Sequence, residues 1–589
     1  MAERGLDDFQ ASAAHSVVLR VEKMLDSSCR AIETGDISES KYTVSEFVDF
    51  LETISDAAIS HPENPYSQYT AREVLSFVSR YWCSPALKQE VFDVLSLELP
   101  TVVSKFAGVS DVCLETAGCV IHQCIAKCNP RDMLSILCEA LTKTIKAPAN
   151  IAPLLTGLST VILRIQRHHF AQVKEAVPVI VNVLKAASLD IEDRATELED
   201  LFDRAVGIAS SIHEVCTNLE GRSNEKLYAL LGLYVLHIMA LVSVSISHEK
   251  SNCHHLLLQL SRFVPKCRLS YLGLITGADV DKMTSIVRGV IWGHILDGVA
   301  QEAEEDVTAV KDILRSNQLK RWETLGMLRH IFAFPNLPWD LKKQAVNFLL
   351  SITDGQSSPL CDDEHTDFSS YMPNIFAALQ AITMVIMYTP DTMLRKLAYD
   401  AFKRVLADVE ISQRFDLLKA LIKNTNSSSM IAILIDLVRG ELHMERCKRL
   451  SAKNDEVQQK ESKDCQTLSF WNAGVLELVE LVLRPPKGGP PSLPEHGDVV
   501  LSALNLYRFV LLTESTGETN YTEVLSKNKL QKAYDEWLLP LRTLLTGVMA
   551  ENRNDSVELA IDTVCTLNPV ELVLYRCIEL VEEKLKQST

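Results

Sequence analysis

Glycine and proline are scarce in this 589-residue sequence, at 22 and 21 residues, each below four per cent. So few turn residues argue against a fold of many short strands and favour helices joined by tight reversals. Phosphate-cradling loops are missing too. Neither G-x-G-x-x-G nor G-x-x-x-x-G-K-[ST] occurs, and the pair Gly488-Gly489 sits among prolines rather than ahead of a helix, so nucleotide binding has no support. The sequence also lacks a G-x-S-x-G elbow and the protein-kinase signature set. No nucleophile stands beside a credible base, although a site assembled only by folding would leave no such trace. Positive charge is in short supply: the formal net charge is −18 and the pI about 5.4. Broad nucleic-acid binding needs a concentrated Lys/Arg face to displace counterions, so a protein partner is the better expectation.

The fifteen cysteines are an odd number, scattered from Cys29 to Cys577 without the short-loop spacing of a secreted disulfide framework. They read as reduced thiols of a cytoplasmic or nuclear protein. The start, MAERGLDDFQ, lacks the basic and apolar tracts of a signal peptide. One stretch opposes the soluble reading: LYALLGLYVLHIMALVSVSI (227–246) carries no formal charge over twenty residues, long enough to cross a bilayer. It contains His237, Ser243 and Ser245, and its flanks show no positive-inside asymmetry. A helix apolar on all sides also serves as a central core element, and that is the expectation here, with no membrane association.

Helical periodicity runs through almost the whole chain. After Pro390, the residues Met393, Leu394, Leu397, Ala398, Ala401, Phe402, Val405 and Leu406 make one stripe, and Arg395, Lys396, Asp400, Lys403 and Arg404 make the other side. The proline reads as the first turn of that helix. Similar stripes span 16–32, 44–59, 111–128, 171–184, 341–352, 468–483 and 570–585, separated by breaks such as HPENP, CNPRD, FPNLP and LNP. Amphipathic helices joined by short loops pair antiparallel and stack. The predicted fold is therefore all-α, an irregular HEAT/armadillo-like helical-repeat solenoid without a repeated consensus string. A working division is 1–220, 221–400 and 401–589. Two separate helical bundles are the alternative, with interruptions at 353–369, 446–466 and 484–497.

Two clusters look metal-like. In Cys113, Cys119, His122, Cys124, Cys128 and Cys138, a helix over 110–128 advances about 100° per residue. That sets Cys124 and Cys128 about 140° and 180° from Cys119. Such opposed side chains cannot share an ion, no C-x-x-C pair is present, and buried core thiols are expected instead. His248-Glu249 has Asn252 where a zincin needs its second histidine. Cys361, Asp362, Asp363, Glu364 and His365 read as a solvated turn. No metal, cofactor, small-molecule substrate or catalytic residue is expected.

Charge is uneven. Residues 401–500 hold fourteen Lys/Arg and fourteen Asp/Glu, 501–589 hold nine and thirteen, and the first 400 therefore carry −14. On the helix beginning near Met430, Leu434, Leu437, Val438 and Leu442 form the core stripe. Ile435, Arg439, Leu442 and Arg446 run along a neighbouring edge. A mixed apolar and arginine edge suits a protein interface, with a solvated flank as the plainer alternative. Trp537 lies in a stripe with Tyr534, Leu538, Leu541 and Leu545 and belongs to the core. Trp471, at a helix start, is assigned to neither core nor surface.

Five segments carry a family resemblance: LPWDLKKQAVNFLLSI (337–352), YMPNIFAALQAITMVIMYTPDTMLRKLAYDAFKRVL (371–406), SFWNAGVLELVELVL (469–483), DVVLSALNLYRFVLL (498–512) and DEWLLPLRTLL (535–545). In order and number they resemble the glomulin family, its plant branch of aberrant root formation proteins above all. The likeness covers roughly 220–589, and the N-terminal part only by helical character. The resemblance implies an irregular HEAT-like protein whose C-terminal region grips the RING-box subunit of cullin-RING ubiquitin ligases. It would thereby mask the docking surface of the ubiquitin-conjugating enzyme by bulk alone. Within 401–589, charge and spacing select Lys423, Arg439, Arg446 and Arg508 as rim residues. A generic helical adaptor is the alternative to this inhibitor of ubiquitin ligation, and an enzyme with a site formed only in the fold is a further one.

Overall fold

The computed structural model describes residues 2–85, 87–144, 148–189, 195–219, 222–246, 254–277, 287–291, 297–354, 368–455, 469–485, 488–514, 519–553 and 558–587. Among these the chain is all-α, with no strand beyond an isolated bridge residue at Thr519. It divides into two compact units, Met1–Ile352 and Thr353–Thr589, the division falling where the first interruption, 353–369, begins.

The first unit opens with α1 (Ala2–Thr34), α2 (Ile37–Ser60), α3 (Pro65–Trp82), α4 (Gln89–Leu95), α5 (Leu99–Lys105), α6 (Asp111–Lys127) and α7 (Pro130–Lys143). It continues with α8 (Pro148–Arg164), α9 (His169–Ser188), α10 (Ala195–Asn218), α11 (Arg222–Ile246), α12 (His254–Ser261), α13 (Phe263–Lys266) and α14 (Tyr271–Thr276). Then come α15 (Asp297–Glu302), α16 (Val307–Ser316), α17 (Gln318–Ala333) and α18 (Trp339–Ile352). Two expected breaks are caps. Asn64 and Asn129 accept the backbone N–H groups of Tyr66 and Arg131, and Pro65 and Pro130 occupy the first helical position.

From α5 to α13 each helix packs on its second neighbour, α5, α7, α9, α11 and α13 making one row and α6, α8, α10 and α12 the other. Such two-row stacking lets each helix bury one face on its partner and another on the next pair. Gly157 of α8 shows how close the rows come. A methyl group there would lie 3.0 Å from Ile121 and 3.2 Å from Leu137. The apolar stretch 227–246 falls in α11, where Leu227, Leu231, Val235, Ile238, Met239 and Val242 are fully buried. The Tyr234 hydroxyl donates to the Ala205 carbonyl at 2.9 Å. By length and composition Asn224–Val244 could cross a membrane, yet 61% of its apolar window is buried against the rest of the unit.

The second unit holds α19 (Met372–Tyr388), α20 (Thr392–Ala407), α21 (Ile411–Lys423), α22 (Ser428–Asp455), α23 (Gly474–Leu483) and α24 (Gly497–Thr513). It ends with α25 (Lys527–Lys532), a π-turn (Ala533–Leu538), α26 (Leu539–Arg553) and α27 (Glu558–Gln587). Here α24 packs against α22, α23 and α27 together. Its Val500, Ala503, Leu504, Leu506, Tyr507 and Val510 are all buried.

Three sequence expectations need correction in this unit, and a π-turn adds a feature that the stripes do not show. The helix after Pro390 starts at Thr392, because the Asp391 carboxylate accepts the Met393 N–H at 2.8 Å and leaves the proline outside. The stripe from 468 becomes helical only at Gly474, whose N–H is taken by the Asn472 side chain at 2.8 Å. LNP is no break: α27 runs through Pro569, since Leu567, Val570 and Leu574 stay buried on both sides of it and packing outweighs the one backbone bond lost. The π-turn precedes Pro540, which has no N–H to offer. Leu539 instead donates back to the Tyr534 carbonyl five residues earlier.

Candidate partner-binding surface

The C-terminal half of α22 holds two irregular segments in place. Glu445 accepts the Phe470 N–H with both carboxylate oxygens at 3.3 Å. The indole of Trp471, 3% exposed, donates to the Leu442 carbonyl at 3.2 Å. Trp471 is therefore a core residue that fastens the bend before α23 onto α22. Phe509 of α24 lies between the Trp471 and His443 rings, with centroids 6.1 Å from each. Beyond α24, Glu514 is 2% exposed and accepts the Thr522 N–H at 3.1 Å and hydroxyl at 2.8 Å. Burial pushes the carboxyls of Glu445 and Glu514 above their usual range, against the backbone hydrogen bonds that favour their charged forms.

Arg449 closes this arrangement. Its guanidinium lies 5.1 Å from the centre of the Trp471 ring and 5.7 Å from that of Tyr521, which is itself 45% exposed. Exposed Met444 and Leu450 lie on the same stretch of α22. An arginine beside two aromatic rings, next to exposed apolar side chains, is the composition of a binding hot spot.

The four rim residues chosen from sequence are spread over three helices, α21, α22 and α24. Lys423 is exposed at the end of α21, where its charge, with that of Lys419, holds the Glu477 carboxyl below its usual range. The Lys419 ammonium makes the larger contribution through a 2.6 Å contact. Arg439 is half-buried and pairs with Asp436 at 3.0 Å, a carboxylate that also accepts the Ser502 hydroxyl at 3.3 Å. Arg446 is half-exposed on α22. Arg508 is half-buried on α24, where its charge reaches the buried thiol of Cys577 on α27. The mixed edge drawn through Ile435 and Leu442 is corrected, because both side chains are fully buried. With α21 and α24 both packed on α22, the covered face is wider than one stripe. Sequence spacing missed Arg449, because its ring partners come from 22 and 72 residues further along the chain. Trp537, 2% exposed, belongs to the core with Leu538, Leu541 and Leu545.

The cysteine cluster is spread around its helix. Cys113, Cys124 and Cys128 are buried, Cys119 and His122 are exposed, and burial pushes the Cys124 thiol up to about 12. Among the described residues no group of three or more His, Cys, Asp or Glu is placed to hold a metal. His248, Glu249 and Asn252, and the run Cys361–His365, lie outside the described residues.

The family described as "Uncharacterised protein family, YAP/Alf4/glomulin" matches residues 343–577, which fall almost wholly in the second unit. Across 585 residues the chain is 43% identical to aberrant root formation protein 4 of Arabidopsis thaliana, covering 94% of this chain and 90% of that protein. The chain belongs to the YAP/Alf4/glomulin family. The likeness to the plant member reaches well into the N-terminal part, beyond the 220–589 expected from sequence. Mouse glomulin is 23% identical over 170 residues, covering 28% of this chain and 25% of its own length. Among solved structures, importin beta covers 97% of this chain and 68% of its own at 11% identity and a TM-score of 0.23. A circular tandem repeat protein covers 98% and 99% at 11% identity and a TM-score of 0.22.

Proposed function

We propose that this chain is a non-catalytic regulator of cullin-RING ubiquitin ligases: its second unit covers the RING-box subunit and blocks docking of the ubiquitin-conjugating enzyme. The observation that carries this reading is the family match over 343–577, the segment that contains Arg449 and its aromatic partners. The physics supports it. Glu445 and Trp471 fasten the bend before α23 to α22, and Glu514 ties Thr522 to the end of α24, so little ordering entropy is lost when a partner lands. A steric blocker needs this preorganisation and no reacting group.

The test is a competition assay with the full chain, an isolated RING-box subunit and a labelled conjugating enzyme. The enzyme is expected to be displaced and ubiquitin-chain formation to slow in proportion. Arg449→Ala is expected to weaken RING-box binding at least tenfold, about 1.4 kcal/mol or more. Binding that leaves enzyme docking and chain formation untouched would instead favour a helical adaptor, and no binding would reject the assignment.

A further inference from the structure

We infer that the first unit carries a second docking site, a groove beside α11 that receives an amphipathic helix of a partner protein with acidic residues at one end. The groove has a volume of about 940 Å³. One wall is α9 through Val177 and Val181, the other is α11 through Leu230 and Leu233, and Leu269 and Leu274 close the third side. It accounts for a property of α11 that core packing leaves over. The helix is apolar over 227–246, yet Ala229 is exposed and Leu230 and Leu233 are only half-buried, and all three line the groove. An apolar surface left open along a helix marks an interaction site.

Charge identifies the end of the occupant. The ammonium groups of Lys174 and Lys226 both lie 6.0 Å from the centre of the Phe170 ring, at the end where α9 and α11 begin. Among the described residues that line the groove none is acidic, although the chain as a whole carries −18. Two cations beside one ring, at the end of an apolar trough, call for an anionic group joined to an apolar body.

The groove's length and openness identify the rest. From Phe170 to Asn182 the α9 wall extends about 18 Å, and from Lys226 to His237 the α11 wall about 16 Å, at the rise of an α-helix. Three turns of a helix fill that length with anchors at i, i+4 and i+7. Pro178 and Asn182 on one rim and Ala229 on the other are exposed, so the outer side of the occupant stays in water. A helix with one polar face suits that environment. An acyl chain, which needs covering all round, does not.

The experiment uses the full chain and fluorescein-labelled peptides of about fourteen residues, with leucines at i, i+4, i+7 and i+11. One ends in two glutamates and a second ends in two lysines; a dansyl-labelled fatty acid is the third probe. The glutamate peptide is expected to bind saturably by anisotropy, at least fivefold tighter than the lysine peptide. Lys174→Glu combined with Lys226→Glu is expected to reverse that preference, and Ala229→Trp to abolish binding by filling the trough. All three residues are exposed, and unchanged circular dichroism and melting would confirm intact folds. The inference is overturned if no peptide saturates, if the two peptides bind alike, if the variants bind as the native chain does, or if only the fatty acid binds. RING-box binding would be unaffected by these variants, which separates failure here from failure of the proposed function.

Discussion

In the first unit, α5 to α13 form two rows in which a helix packs on its second neighbours and on adjacent helices of the facing row, whereas in the second α24 is enclosed by α22, α23 and α27 at once. The row design distributes stability over successive interfaces, so a local defect is felt locally. The hub design concentrates it, and a bend before α23 and a π-turn before α26 lie among the surrounding elements. The arginine-aromatic surface stands on those irregular parts, at Phe470, Trp471 and Tyr521. The apolar groove stands on the regular ones, α9 and α11.

The sharpest way to break this contrast is a matched pair of core truncations. Leu504 of α24 and Leu137 of α7 are both fully buried, and each Leu→Ala change is expected to cost about 2–5 kcal/mol. The consequences should differ in reach. Leu504→Ala should lower amide-exchange protection in α22, α23 and α27 together, whereas the loss from Leu137→Ala should be confined to α5 to α9. Hydrogen-exchange mass spectrometry reads this directly, and equal spread in the two variants would remove the distinction between row and hub.

A smaller effect is expected at Glu514. Glu514→Ala leaves the Thr522 N–H and hydroxyl without their acceptor in a buried place, at a cost of about 1–3 kcal/mol. Glu514→Gln keeps an acceptor and removes the desolvated charge. Because burial raises the folded-state carboxyl above its unfolded value, its stabilising contribution is complete below the unfolded pKa and is lost as pH rises through the folded one. Urea midpoints measured from pH 5 to 7.5 should therefore show the glutamine variant gaining on the native chain as pH increases. The opposite trend would mean that the hydrogen bonds from Thr522, not burial, dominate this site.

Much of the fold was legible because its causes are local. Helical stripes and the Asn-Pro pairs at 64–65 and 129–130 follow from periodicity and capping, and the burial of Cys113, Cys124 and Cys128 follows from the apolar character of a free thiol, whereas Cys119, expected in the core with them, is exposed. The errors share the opposite cause. Pro569 reads as a stop until α24 holds both halves of α27 together, and Ile435 reads as an edge until a second helix covers it. The ring partners of Arg449 and the groove were not legible for the same reason: rings and facing walls are brought together by folding from distant parts of the chain.

The finest test of the contrast concerns how each unit uses a cation over a ring. In the first unit the Lys127 ammonium sits 3.8 Å from the centre of Phe92 and donates to the Trp82 carbonyl at 3.2 Å, a point charge serving one ring and one acceptor. In the second, Arg449 lies beside two rings, on which a planar guanidinium can stack and an ammonium acts only as a point charge. Arg449→Lys, which keeps the charge, is therefore expected to lower the stability of the second unit by about 0.5–1 kcal/mol. It should also raise exchange at 469–473 and 519–523, where those rings are attached, while the first unit is unchanged. If the lysine variant matched the native chain in both readouts, charge alone would account for Arg449, and its role as the planar centre of the partner-binding surface would fall with it.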